Sequence, residues 1–122
     1  MSASQSWVSW VIQCEVQASN RDKLVSLSEE MSSDFLANEP GTLNFEWSVD
    51  SAFGELHLHE RYADSPTALG HIQTFGSKYA ERFLAAAAIK SVTVYGFPSK
   101  DLLDALSAMS PKILERFSGF TR

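Results

Sequence analysis

The stretch TLNFEWSVDSAFGELHLHERY, residues 42–62, alternates apolar and polar side chains twice, with a turn sequence between the two runs. In the first run Leu43, Phe45, Trp47 and Val49 share one face, and Thr42, Asn44, Glu46, Ser48 and Asp50 the other. In the second, Leu56, Leu58 and Tyr62 share a face, but the position between the last two is Glu60. A period of two predicts two strands, and DSAFGE supplies the hairpin turn that joins them. One acid therefore stands in an apolar row.

Outward from this hairpin the period changes on both sides. Upstream, SNRDKLVSLSEEMSSDFLANEPG carries Leu24, Leu27, Met31 and Phe35 at helical spacing, with Ser19 or Asn20 able to cap its start and Pro40-Gly41 to stop it. Before it, Val8, Trp10, Ile12, Cys14 and Val16 alternate as a strand. Downstream, DSPTALGHIQTFGSKYAERFLAAAA opens with Ser65 as the expected N-cap and Pro66 at the first helical position. Its stripe runs through Ala68, Ile72, Phe75, Tyr79 and Phe83, with His71 inside it, and Gly70 and Gly76 predict a break near Phe75 to Ser77. KSVTVYGF reads as the fourth strand, and PSKDLLDALSAM and SPKILERF read as two short terminal helices.

The order β-α-β-β-α-β with a helical tail predicts the α+β, ferredoxin-like split βαβ plan. That plan is a four-stranded antiparallel sheet with the helices on one face. The expected organisation is a loose tail over residues 1–6, one domain over 7–97 and a helical extension over 98–122. The other sheet face has little to cover it except a second copy of the chain, so a homodimer is expected.

A chain of 122 residues with 44% hydrophobic content fits one core. The net charge of −5, with no run of Lys and Arg, argues against nucleic acid or an anionic membrane as partner. The single cysteine, Cys14, leaves no intrachain disulfide or thiolate metal site and suits a reducing cytoplasm. No signal peptide or membrane span is read in the N-terminal MSASQSWVSW.

Glu39-Pro40-Gly41 leading into a strand, Glu60-Arg61-Tyr62 ending the next, and His71 on the following helix together resemble the antibiotic biosynthesis monooxygenase family over residues 8–97. The resemblance implies a dimeric α+β barrel. It also implies oxygenation of an electron-rich aromatic, a quinol or anthrone, by dioxygen with no flavin, haem or metal. Such chemistry asks for an apolar pocket, an acceptor for a phenolic proton and donors around the developing anion. Haem-degrading relatives share the fold, but this chain has no Asn in its first strand and carries Tyr62 where they use Trp.

All three histidines lie close together in sequence, with Glu55, Glu60 and Asp64. Alternation separates them: His57 and His59 face away from the helices, whereas Glu60 and His71 face into the space between sheet and helices. A metal site is therefore not expected. Glu60 and His71 are the candidate catalytic pair, with His71 as base and Glu60 orienting it. The pattern also suits, and more readily, a structural role in which the pair locks helix to sheet. Trp10, Trp47, Tyr62, Phe75 and Tyr79 are the candidate substrate-binding residues, each also suited to the core. Cys14 reads as an inert small hydrophobe. The competing function is a non-catalytic dimeric protein of the same fold that binds a hydrophobic ligand or regulates a partner.

Overall fold

The computed structural model describes residues 6–122. The expected N-terminal tail lies outside the described residues except for Ser6, whose hydroxyl donates to the Ala63 carbonyl at 3.0 Å. Strand β1 spans Val8–Val16, helix α1 Arg21–Asn38, strands β2 and β3 Thr42–Val49 and Glu55–Tyr62, helix α2 Ser65–Lys78 and helix α3 Ala80–Ala86. Strand β4 (Ala87–Gly96), helix α4 (Lys100–Leu106), a 3₁₀ turn (Ser107–Met109) and strand β5 (Lys112–Leu114) complete the chain.

The sheet order is β2-β3-β1-β4-β5. β1 pairs antiparallel with both β3 and β4, and β2 pairs antiparallel with β3, the ferredoxin-like arrangement, while β5 adds in parallel to β4. The expected four-stranded antiparallel sheet is thus a five-stranded mixed one. SPKILERF, expected to be a helix, supplies that fifth strand instead. Ile113, Leu114 and Phe117 have helical spacing, but Ser110 turns left-handed at φ 48° and Pro111 follows it, so the chain runs out along the open edge of β4. Backbone pairing with a ready edge outweighs a short local stripe.

Three other boundaries shift. Asp64, not Ser65, caps α2 by accepting the Thr67 amide at 2.8 Å. Tyr79, not Phe75 to Ser77, interrupts the second helical region. Of the alanine run, Ala87 and Ala88 belong to β4, where they pair with Val16 and Glu15. Leu43, expected to face inward, is the extra residue of a bulge between Thr42 and Asn44 and is exposed.

The core lies between the helices and one sheet face, in two clusters. One joins Leu24, Leu27, Met31 and Phe35 of α1 to Leu56, Leu58, Tyr79 and Phe83. The other joins Leu102 and Leu106 of α4 to Val8, Trp10, Tyr62, Val92 and Val94. Neither contains Glu60 or His71, which are both buried at 4% exposure along the seam between them. Among the described residues, no helix is long and apolar enough to cross a membrane.

Candidate functional site

Sheet register fixes Glu60. It stands in β3 with Trp10 of β1 as its neighbour on one side and Phe45 of β2 on the other. Its own strand places Leu58 and Tyr62 on the same face. An ionised carboxylate there must find donors. The Tyr62 hydroxyl donates to Glu60 Oε1 in a very short contact, and His71 Nε2 stands 3.2 Å from the same oxygen. Both of these contacts fall on Oε1 of Glu60.

His71 comes from the middle of α2, on the stripe that faces the sheet. Ile72 and Phe75, expected in that stripe, are only half-buried, while His71 is buried together with Ala68. Its other nitrogen, Nδ1, lies 2.9 Å from Glu39 Oε1. Both ring nitrogens thus face carboxylate oxygens, and both contacts are satisfied when the ring carries two protons. Burial alone would push the pKa of His71 down, but the carboxylates of Glu60 and Glu39 outweigh it and hold the pKa above 6.5. Phe35 and Tyr62 flank the ring, with centroids at 4.5 and 5.0 Å.

Glu39 carries a role that the sequence does not plainly reveal, because Glu39-Pro40-Gly41 also satisfies a turn signature. The Pro-Gly stop leaves Glu39 as the C-cap of α1, where its amide donates to the Phe35 carbonyl at 2.9 Å. The Thr42 hydroxyl holds its Oε1 at 2.7 Å. A signal existed: an acid at a helix C-terminus is opposed by the helix dipole and calls for a compensating cation.

A cavity of about 70 Å³ opens beside this trio. Trp10 and Phe75 line it, as do Ile12, Met31, Phe45 and Leu58, and its polar groups are Glu60 and His71. Of the other expected binding residues, Tyr62 stacks on Trp10 at 4.7 Å and serves Glu60 without lining the cavity. Its hydroxyl pKa lies well above 10, raised first by burial and then by the Glu60 charge, so it acts as a donor. Trp47 packs edge-on against Phe45 and Phe83, with centroids at 6.0 and 5.7 Å, and its buried Nε1 has no partner among the described residues. Tyr79 is buried in the core without lining the cavity, and its hydroxyl donates to Asp34. Cys14 is buried, and its thiol is pushed up to about 11 by burial and the Glu60 charge.

His57 and His59 occupy the opposite sheet face. His57 Nε2 pairs with Glu55 at 2.6 Å, and His59 is exposed. The sequence cluster of three histidines is therefore two separate groups.

Residues 8–89 match the sequence model of the family described as antibiotic biosynthesis monooxygenase. No curated protein matches the chain. Among solved structures, MupZ from Pseudomonas fluorescens is similar with a TM-score of 0.81 and 21% identity, covering 96% of this chain and 95% of that one. SnoaB from Streptomyces nogalater, described as a cofactor-independent oxygenase, is similar with a TM-score of 0.62 and 13% identity, covering 78% and 94%. A conserved protein from Methanosarcina mazei gives 0.62 and 16%, covering 80% and 97%. At these identities the structural likeness concerns the fold, and it is the match over residues 8–89 that places the chain in the antibiotic biosynthesis monooxygenase family.

Proposed function

We propose that the protein is a cofactor-independent monooxygenase or quinol oxidase, which binds an electron-rich phenolic aromatic between sheet and helices and lets it react with dioxygen. The observation that carries this reading is that Glu60 and His71, held together by a contact on Glu60 Oε1, are the polar residues lining an otherwise apolar cavity. Membership of the family and the likeness to SnoaB support it.

Triplet dioxygen reacts slowly with a neutral closed-shell molecule and readily with a phenolate or enolate, so removing one proton starts the chemistry. Glu60 accepts that proton at Oε2. His71 and Tyr62 hold its other oxygen, so the carboxylate meets the substrate in one orientation. The organic anion then gives one electron to dioxygen, and the radical pair closes to a peroxide on carbon. The proton held by Glu60 returns to the peroxide oxygen, and loss of water with the remaining C–H hydrogen leaves a carbonyl. Carbon is oxidised, dioxygen is reduced, and the site ends as it began. The role differs from the sequence expectation of His71 as base: both nitrogens of His71 are engaged by carboxylates, so His71 orients and Glu60 receives.

A second reading is a non-catalytic member of the fold that binds a hydrophobic ligand or regulates another protein. It draws on the cavity volume of about 70 Å³, well below the roughly 300–1,000 Å³ of sites that enclose a drug-sized ligand. Incubation with an anthrone under isotopically labelled dioxygen separates the two. Label in the new carbonyl supports oxygenation, and recovery of unchanged substrate at the autoxidation rate supports the binder.

The dimeric barrel and the cytoplasmic location belong to the same proposal. The sheet face away from the helices carries Tyr95, Leu114, Phe117 and Phe120 exposed to solvent, which supports a second copy lying over it.

A further inference from the structure

We propose that Met109 sets the size of the ring system that the cavity accepts. The inference rests on the cavity being the place where an aromatic is held, and it assigns to the C-terminal segment a part that the family match, which ends at residue 89, does not contain.

The cavity walls differ in how firmly they are held. Trp10, Ile12, Phe45, Leu58, Ile89 and Val92 stand on strands tied to their neighbours across the sheet. Met31 lies on the buried stripe of α1, within the larger core cluster. Leu106 is buried at the end of α4 and is held, with Leu102, against Val92 and Val94. Met109 also packs against this second cluster, but from its edge and from neither a strand nor a long helix. It is half-buried and sits in a single 3₁₀ turn, closed by the Ser110 amide on the Ser107 carbonyl at 3.0 Å. The chain then leaves through the left-handed Ser110. Ile72 and Phe75 of α2, also half-buried, line the same cavity.

A volume of about 70 Å³ is too small for a fused aromatic, so a wall must yield for one to enter. Sheet and α1 cannot yield without breaking the core. A methionine on a one-turn segment can, because its unbranched thioether adapts its shape to what it contacts. The deeper walls then fix where the hydroxyl meets Glu60, and residue 109 decides how far the far ring extends.

The test is equilibrium binding of 1-naphthol and 9-anthrol, two and three fused rings, to the full chain by fluorescence titration. Met109→Ala and Met109→Phe are compared with wild type, with Met109→Leu as the volume-preserving reference for folding. Met109→Ala should improve binding of 9-anthrol by about tenfold or more while changing 1-naphthol by about twofold or less, the scale at which pocket methylenes discriminate. Met109→Phe should weaken 9-anthrol preferentially. Leu114→Ala, on the other sheet face, should leave both affinities unchanged. A ratio of the two affinities that stays fixed in Met109→Ala overturns the proposal, as does the same shift in Leu114→Ala. Oxygen uptake is measured on the same samples. If the ring preference follows residue 109 while no variant consumes oxygen, Met109 keeps its role and the monooxygenase reading falls. If oxygen is consumed and the preference does not move, the outcome is reversed.

Discussion

Glu60 is buried among Trp10, Phe45 and Tyr62, a position where an apolar side chain would cost nothing. Its retention there depends on His71 and Tyr62, and that of His71 depends in turn on Glu39 and Glu60. Removing the ring should leave two facing carboxylates without their shared cation, so His71→Ala should lose about 3–5 kcal/mol in chemical denaturation. Because the pKa of His71 is raised above 6.5, its contribution to stability is complete below that pH. The contribution fades as pH climbs through the raised value, and His71→Gln should flatten that part of a Tm-against-pH curve. Glu39→Gln keeps the shape but removes one of the two charges, so NMR titration of the ring should show the His71 pKa falling towards or below 6.5. An unchanged titration would remove Glu39 from the trio. Glu60 and His71 were legible in the sequence as polar interruptions of apolar rows. Glu39 was not, because the same residue also satisfies a turn motif, and only the path of α1 brings it to α2.

At the scale of elements, α1 and the α2–α3 junction are clasped by Asp34. It accepts from Lys78 at 2.8 Å, from Asn38 at 2.7 Å and from the Tyr79 hydroxyl. The Lys78 ammonium first, then Tyr79 and Asn38, hold the Asp34 carboxyl down to about 2. The stability this confers is present above pH 3.8 and is lost as pH falls through about 2. Asp34→Ala strands the buried Tyr79 hydroxyl and should cost about 1–3 kcal/mol by denaturant titration at neutral pH. The turn that carries the chain from β4 to α4 depends on Gly96, at φ 110°, where an added Cβ would stand 2.9 Å from the Trp7 carbonyl oxygen. Gly96→Ala should lose about 1–3 kcal/mol, read as a lower denaturation midpoint. The strands and the two long helices were legible because their periods are sustained. β5 was not, since three residues carry no period and their partner is an edge that exists only once the sheet has formed.

At the scale of the molecule, two core clusters meet at a seam, and the polar trio and the cavity occupy it. The ferredoxin-like order follows from the alternation of periods, which is why the hairpin at residues 42–62 was enough to set it. Cavity volume was not legible, because it is the small difference between walls drawn from four strands, four helices and the 3₁₀ turn. Beyond the seam, Phe117 and Phe120 stand 99% and 81% exposed, a cost in water that a second copy would remove. Sedimentation equilibrium should give a dimer, shifted towards monomer when both are changed to Ser, whereas a wild-type monomer at all concentrations would refute the barrel.

The most direct test of the account is the rate of oxygen uptake with menadiol or an anthrone in metal-stripped buffer, wild type beside Glu60→Gln. The predicted result is a protein-dependent rate for wild type above autoxidation, reduced on the order of 10²–10⁴-fold in Glu60→Gln, with the variant still folded. A wild-type rate equal to autoxidation, or an undiminished rate in Glu60→Gln, would contradict it.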